Sequence, residues 1–163
     1  MNKVIPVLLA SLSVAGAAIA EGPMVVPLQR LSMDSAVKIA QGTIEACREQ
    51  GIQIAVTVVD REGNVQVTLR DTIAAPITVP ISKMKAFTAV NFNAATSAMS
   101  ERADTPIGRL DGLVMSAGGV PVLVGGSALV AGVGVSGAPD GATDEECALA
   151  GIALIQDDLD MAM

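Results

Sequence analysis

The residues best equipped for chemistry are three cations, Arg70, Lys83 and Lys85, and the backbone amides near Ala142 to Glu146 that open the last expected helix. A helix N-terminus carries partial positive charge and unpaired N–H groups, so these features together suit a carboxylate. The competing reading is that Thr143, Asp144 and Glu145 already satisfy those amides from within the chain. An enzyme acting on a small organic acid at such a site would use Asp60, Asp71 or a lysine of lowered pKa as its acid and base. No histidine is present to do that work.

The same absence removes Ser-His-Asp and Cys-His arrangements and every histidine metal site. Gly134-Val135-Ser136-Gly137-Ala138 therefore matches a nucleophile elbow only in outline, and its last position is alanine. Gly132-Val133-Gly134-Val135-Ser136-Gly137 has dinucleotide-fingerprint spacing. That motif needs a helix opening on its third glycine, whereas the next helical pattern starts at Thr143, so no nucleotide cofactor is expected. Asp157, Asp158 and Asp160 read as a solvated acidic tail that frays, since acids oppose the negative end of a helix.

The chain opens Met1-Asn2-Lys3, runs uncharged from Val4 to Ala20 and closes that run on Ala18-Ile19-Ala20. This is the form of a signal peptide, residues 1–20, cleaved before Glu21, and the run is short for a membrane span of roughly 20 residues. The expected product is periplasmic or secreted, with no membrane span after cleavage. Residues 21–30, with Pro23 and Pro27, form a linker, and 31–163 form a single domain. A net charge of -7, with Phe87 and Phe92 as the only aromatics, argues against nucleic acid as a partner. The aliphatic excess suits burial between subunits, hence a homo-oligomer. Cys47 and Cys147 either pair in an oxidising compartment or sit separately as small buried hydrophobes.

These residues need a scaffold. Ser32 is a natural N-cap, and Met33, Ala36 or Val37, Ala40, Ile44 and Cys47 repeat at helical steps up to Gly51. Residues 52–60 and 65–70 alternate around Arg61-Glu62-Gly63-Asn64 and predict a hairpin. A loop over 71–80 precedes a helix over 81–93 with Met84, Phe87 or Thr88, and Asn91 along one side; a short helical piece follows around Ser97 to Arg102. Val122-Leu123-Val124 and 128–135 flank Gly125-Gly126-Ser127 in a second hairpin. Thr143 and Glu146 have capping-box spacing for a final helix reaching about Ile155. Helix, hairpin, helix, hairpin, helix implies an α+β fold, an antiparallel sheet flanked by helices in an α/β/α sandwich.

Four blocks occur in order: Val58-Val59-Asp60-Arg61-Glu62-Gly63-Asn64, Lys85-Ala86-Phe87-Thr88-Ala89, Gly118-Gly119-Val120-Pro121, and Gly134-Val135-Ser136-Gly137-Ala138 followed by Asp144-Glu145-Glu146-Cys147-Ala148-Leu149-Ala150-Gly151. Through them the chain, from about Leu31 to Leu154, resembles the GlcG/HbpS family, which includes the C-terminal domain of PduO-type proteins. The resemblance implies the same sandwich, assembly into homo-oligomers and, in some members, binding or degradation of haem or a related tetrapyrrole. Some exported members sense haem beside a signalling partner. Where relatives often carry a turn histidine, this chain has Asn64. Iron ligation would then fall to Cys47, Cys147, Met84, Met99, Met115 or the Thr88 hydroxyl, and the propionates to Arg70, Lys83 or Lys85. The expected function is an exported binder of a small molecule, haem or another tetrapyrrole; the alternatives are the organic-acid enzyme and a purely structural oligomer.

Overall fold

The computed structural model describes residues 22–162, so the expected signal peptide lies outside the described residues. Residues 22–30 contain no helix or strand. Helix α1 (Met33–Glu49) starts where Ser32 accepts the Ser35 amide at 3.2 Å. It stops at Gly51, whose φ of 74° suits glycine, while the Gly51 and Ile52 amides return to the Arg48 and Cys47 carbonyls. Its buried face is Ala36, Ile39, Ala40, Thr43, Ile44 and Cys47. Of the expected stripe, Ala36, Ala40, Ile44 and Cys47 are buried and only Met33 is exposed.

Strands β1 (Ala55–Asp60), β2 (Val65–Arg70), β3 (Gly119–Val124) and β4 (Ala128–Ser136) form one antiparallel sheet ordered β2-β1-β4-β3. Central β1 is buried along its whole length, which explains its unbroken β-branched run, while edge strand β2 is half open. Pro121 sits on the other edge strand, where a missing N–H is tolerated. The Gly125-Gly126-Ser127 turn joins Val124 to its partner Ala128, with positive φ at both glycines.

Side chains alternate across the sheet. Val56, Val58, Val133 and Val135 face α1 and α3 (Gly141–Ala153), meeting Ile39, Ile44, Ala148 and Ile152 in the main core. On the opposite face Val59 meets Ala86 and Val90 of α2 (Thr78–Phe92). The expected α/β/α sandwich is therefore present. Gly132 and Gly134 let α2 lie against β4: a Cβ at Gly134 would strike the Ser82 carbonyl and the Ala86 amide. Those glycines serve close packing within a strand whose two neighbours are both antiparallel, an arrangement unlike a nucleotide-binding βαβ unit.

Three local expectations change. Helix α2 begins at Thr78 instead of 81, because Pro80 falls in its first turn, where an N–H is not needed. Helix α3 is capped by Asp140, whose Oδ1 accepts the Thr143 amide at 2.9 Å, so Thr143 and Glu146 do not form the capping box. The acidic tail forms α4 (Gln156–Asp160), held by Asp160 Oδ1, which accepts from the Gly125 amide and from Gln156 Nε2.

Candidate ligand-binding site

Helix α2 carries most of the expected site residues, and its two sides differ in chemistry. The inner side buries Ser82, Lys85, Ala86 and Ala89, while Thr88, one turn on from Met84, is buried against the connection between α2 and β3. On the outer side Ile77, Ile81, Met84 and Phe87 follow at steps of four, three and three, with Ile77 exposed and the others half-buried. Lys83 stands exposed beside Met84. Ile73, in the loop entering the helix, is 78% exposed. The stripe is apolar, outward-facing and bordered by a cation.

Phe87 is seated by the first hairpin. Gly63, with φ of 88°, has no side chain, and a Cβ there would come within 2.6 Å of the Phe87 ring. The turn itself is tied by Asp60, which accepts the Glu62 and Asn64 amides at 2.9 Å and the Asn64 side chain at 3.1 Å. Burial pushes the Asp60 carboxyl up, but those hydrogen bonds and nearby Arg30 outweigh it and hold its pKa below the ordinary value. Asn64 thus braces the turn under the Phe87 end of the stripe.

The inner polar groups are engaged within the fold. Lys85 Nζ donates to Asp144 Oδ2 at 2.8 Å with both side chains buried, so it holds α2 to the first turn of α3. Asp144 Oδ1 also accepts the Ala138 amide. Thr88 donates to the Met84 carbonyl and accepts the Val114 amide at 3.0 Å, fastening the long connection between α2 and β3. Thr57 joins Thr68 and Ser82 hydroxyl to hydroxyl across the same layer. The expected anion site at Ala142 to Glu146 is occupied from within: Asp140 takes the Thr143 amide, and its pKa lies below the ordinary value for that reason.

Arg70 lies elsewhere, at the end of edge strand β2, where its Nη1 donates to the Ala74 carbonyl. It lines a cavity with Arg48 and Asp71 of about 480 Å³. Arg70, Lys83 and Lys85 therefore do not converge on one carboxylate. Cys47 and Cys147 form a disulfide joining α1 to α3, with Cα atoms 5.5 Å apart. Neither is a free thiol, and the Thr88 hydroxyl is engaged by the Met84 carbonyl and the Val114 amide, so the expected alternatives for an iron ligand narrow to thioethers. Met99 and Met115 are buried, and Met84 alone of the three reaches the outer stripe.

Sequence reasoning missed the Lys85–Asp144 and Arg48–Asp71 pairs. Lys85 reads as a surface cation and Asp144 as a first-turn acid favoured by the dipole. A signal for the first pair existed, since Lys85 and Ala86 fall on the helix face that Ser82 and Ala89 complete. Among the described residues no cluster of three or more His, Cys, Asp or Glu is placed to hold a metal ion, and no helix is long and apolar enough to cross a membrane.

The family described as haem-degrading protein HbpS-like matches residues 31–153. A crystal structure of HbpS is 40% identical, covers 83% of this chain and 97% of its own, and superposes with a TM-score of 0.76. A Streptomyces reticuli HbpS in which two glutamates are replaced by aspartate is also 40% identical, covering 90% and 98% with a TM-score of 0.76. A PduOC:heme complex is 26% identical over 76% of this chain and 94% of its own, with a TM-score of 0.70. No curated protein matches the chain.

Proposed function

The chain belongs to the HbpS-like family of haem-degrading proteins, and from that membership, together with the outer face of α2, we propose that it is an exported binder of haem or a closely related tetrapyrrole. The observation that carries this reading is the stripe of Ile77, Ile81, Met84 and Phe87 bordered by Lys83. A porphyrin is a flat apolar plate with two carboxylates on its rim. An apolar helix face gives the plate a surface, Phe87 adds an aromatic ring, and Lys83 offers a charge-assisted partner for a propionate.

The donor set fits, within limits. Histidine and tyrosine are absent, and both cysteines are consumed by the disulfide. Met84 is then the side chain that would take the iron, because thioether sulfur is an accepted haem ligand. A single thioether with no second strong donor makes capture depend mainly on the apolar face and the rim charge. The heme complex of the related PduOC supports a tetrapyrrole on this fold.

Export is supported by the signal-peptide pattern of residues 1–20 and by the Cys47–Cys147 bond, which persists in oxidising compartments. Assembly with copies of itself is part of the same proposal: Leu149 and Leu154 stand 50% and 67% exposed on and just after α3, apolar surface that a second copy would cover. Hemin titrated into the protein lacking residues 1–20 tests the central point. A saturable Soret shift supports it, and a response equal to that of an unrelated acidic protein rejects it.

A further inference from the structure

A second site lies on the other face of the sheet. Between α1 and edge strand β2 is a cavity of about 480 Å³ lined by Gln41, Glu45, Arg48, Arg70 and Asp71 above Ile44 and Leu69. Its size falls in the range of about 300 to 1,000 Å³ that small-molecule sites occupy. It shares no lining residue with the α2 stripe.

Asp71 is the unusual member. Its side chain is 2% exposed, and Arg48 delivers both Nε, at 2.9 Å, and Nη2 to the same oxygen, Oδ1. Oδ2 is buried with no partner. A buried carboxylate oxygen without a donor is strongly disfavoured, and native folds rarely leave one unpaired. The Arg48 side chain over it is 55% exposed. Arg48 and Asp71 also line a second cavity of about 480 Å³ with Gly51, Ile52, Gln53 and Thr72, so the pair stands as a partition between the two spaces.

The guanidinium groups have capacity to spare. Arg70 spends Nη1 on the Ala74 and Thr72 carbonyls, and Arg48 spends Nε and Nη2 on Asp71. Arg70 Nε and Nη2 and Arg48 Nη1 donate to no protein group among the described residues. The lining thus holds two acids and two arginines. A simple anion would meet Glu45 and Asp71, and a simple cation would meet the arginines. A molecule with one charge of each sign satisfies both sets.

We propose that this cavity binds a small zwitterion of the α-amino-acid class, its ammonium on Asp71 Oδ2 and Glu45 and its carboxylate on the free N–H groups of Arg48 and Arg70. Ile44 and Leu69 give an aliphatic side chain its surface, so amino acids with apolar side chains bind best.

The test is saturation-transfer NMR on the whole mature protein with each standard L-amino acid, and with acetate and ethylamine as half-molecules. An aliphatic amino acid should bind saturably while acetate and ethylamine do not. Glu45→Gln, on an exposed helix face, should weaken binding about tenfold, the effect of losing one charged hydrogen bond. Asp71→Asn, checked for fold by circular dichroism, should abolish it. Failure of every amino acid to bind overturns the proposal, as does equal binding of either half-molecule or full affinity in Glu45→Gln.

Discussion

Lys85 Nζ lies 2.8 Å from Asp144 Oδ2, with the two side chains 5% and 4% exposed, and the pair links the helix of one layer to the helix of the other. Taking charges out of water is costly, and the pair is tolerable only because each member answers the other and Asp144 also receives the Ala138 amide. Lys85→Met should therefore strand the carboxylate and cost ~3–5 kcal/mol in urea unfolding. The double variant Lys85→Met with Asp144→Leu should recover much of that loss. Equal losses in the single and double variants would show that the pair does not act as a unit.

The disulfide makes a second prediction. Cys47 and Cys147 are 100 positions apart, so their bond closes most of the domain into one loop. Replacing both with alanine should lower stability by ~4–5 kcal/mol through the freedom returned to the unfolded chain. Unfolding with and without reductant should reproduce the difference in the wild type and show none in the variant.

Gly134 tests the packing of α2. A methyl there would meet the Ser82 carbonyl and the Ala86 backbone, neither of which is a flexible tip. Gly134→Ala should cost ~1–3 kcal/mol by forcing the helix away from the sheet. It should also disturb tetrapyrrole binding, because Met84 and Phe87 ride on the same helix. Gly126→Ala, at an open turn with φ of 71°, should cost stability without that second effect.

Asp60 gives a pH prediction. Its folded pKa lies below its ordinary 3.8, so its ionised form contributes stability at higher pH that is lost as pH falls through the folded value. The stability gap between wild type and Asp60→Asn should be constant near neutrality and shrink below about pH 4. A gap that instead widens in acid would reverse the assignment.

Much of the fold was legible because local chemistry and tertiary burial agree. Ser32 caps α1, Gly51 ends it, Gly63 and Gly125-Gly126 turn the two hairpins, and the β-branched run at 56–59 lies in an inner strand. The site was less legible because its polar residues answer partners distant in sequence. Lys85 and Asp144 are 59 positions apart and Arg48 and Asp71 are 23 apart, so no spacing rule reveals either pair. Asp140 was missed as a cap because Thr143 offers an equally good local signal three residues later. The α2 stripe was half visible: Met84 and Phe87 share its outer side, and the alternative at Thr88, one turn on from Met84, is covered by the connection to β3 through the Val114 amide.

The most direct measurement of the central claim is a hemin titration, followed in the Soret band, of the wild-type protein lacking residues 1–20 beside Met84→Glu and Lys83→Glu. Both positions lie on the outer side of α2, so these variants should keep their fold by circular dichroism. Tetrapyrrole binding on the α2 stripe predicts saturable binding in the wild type, loss of it in Met84→Glu and weaker binding in Lys83→Glu. Wild-type affinity in both folded variants, or no saturable binding in any of the three proteins, would contradict it.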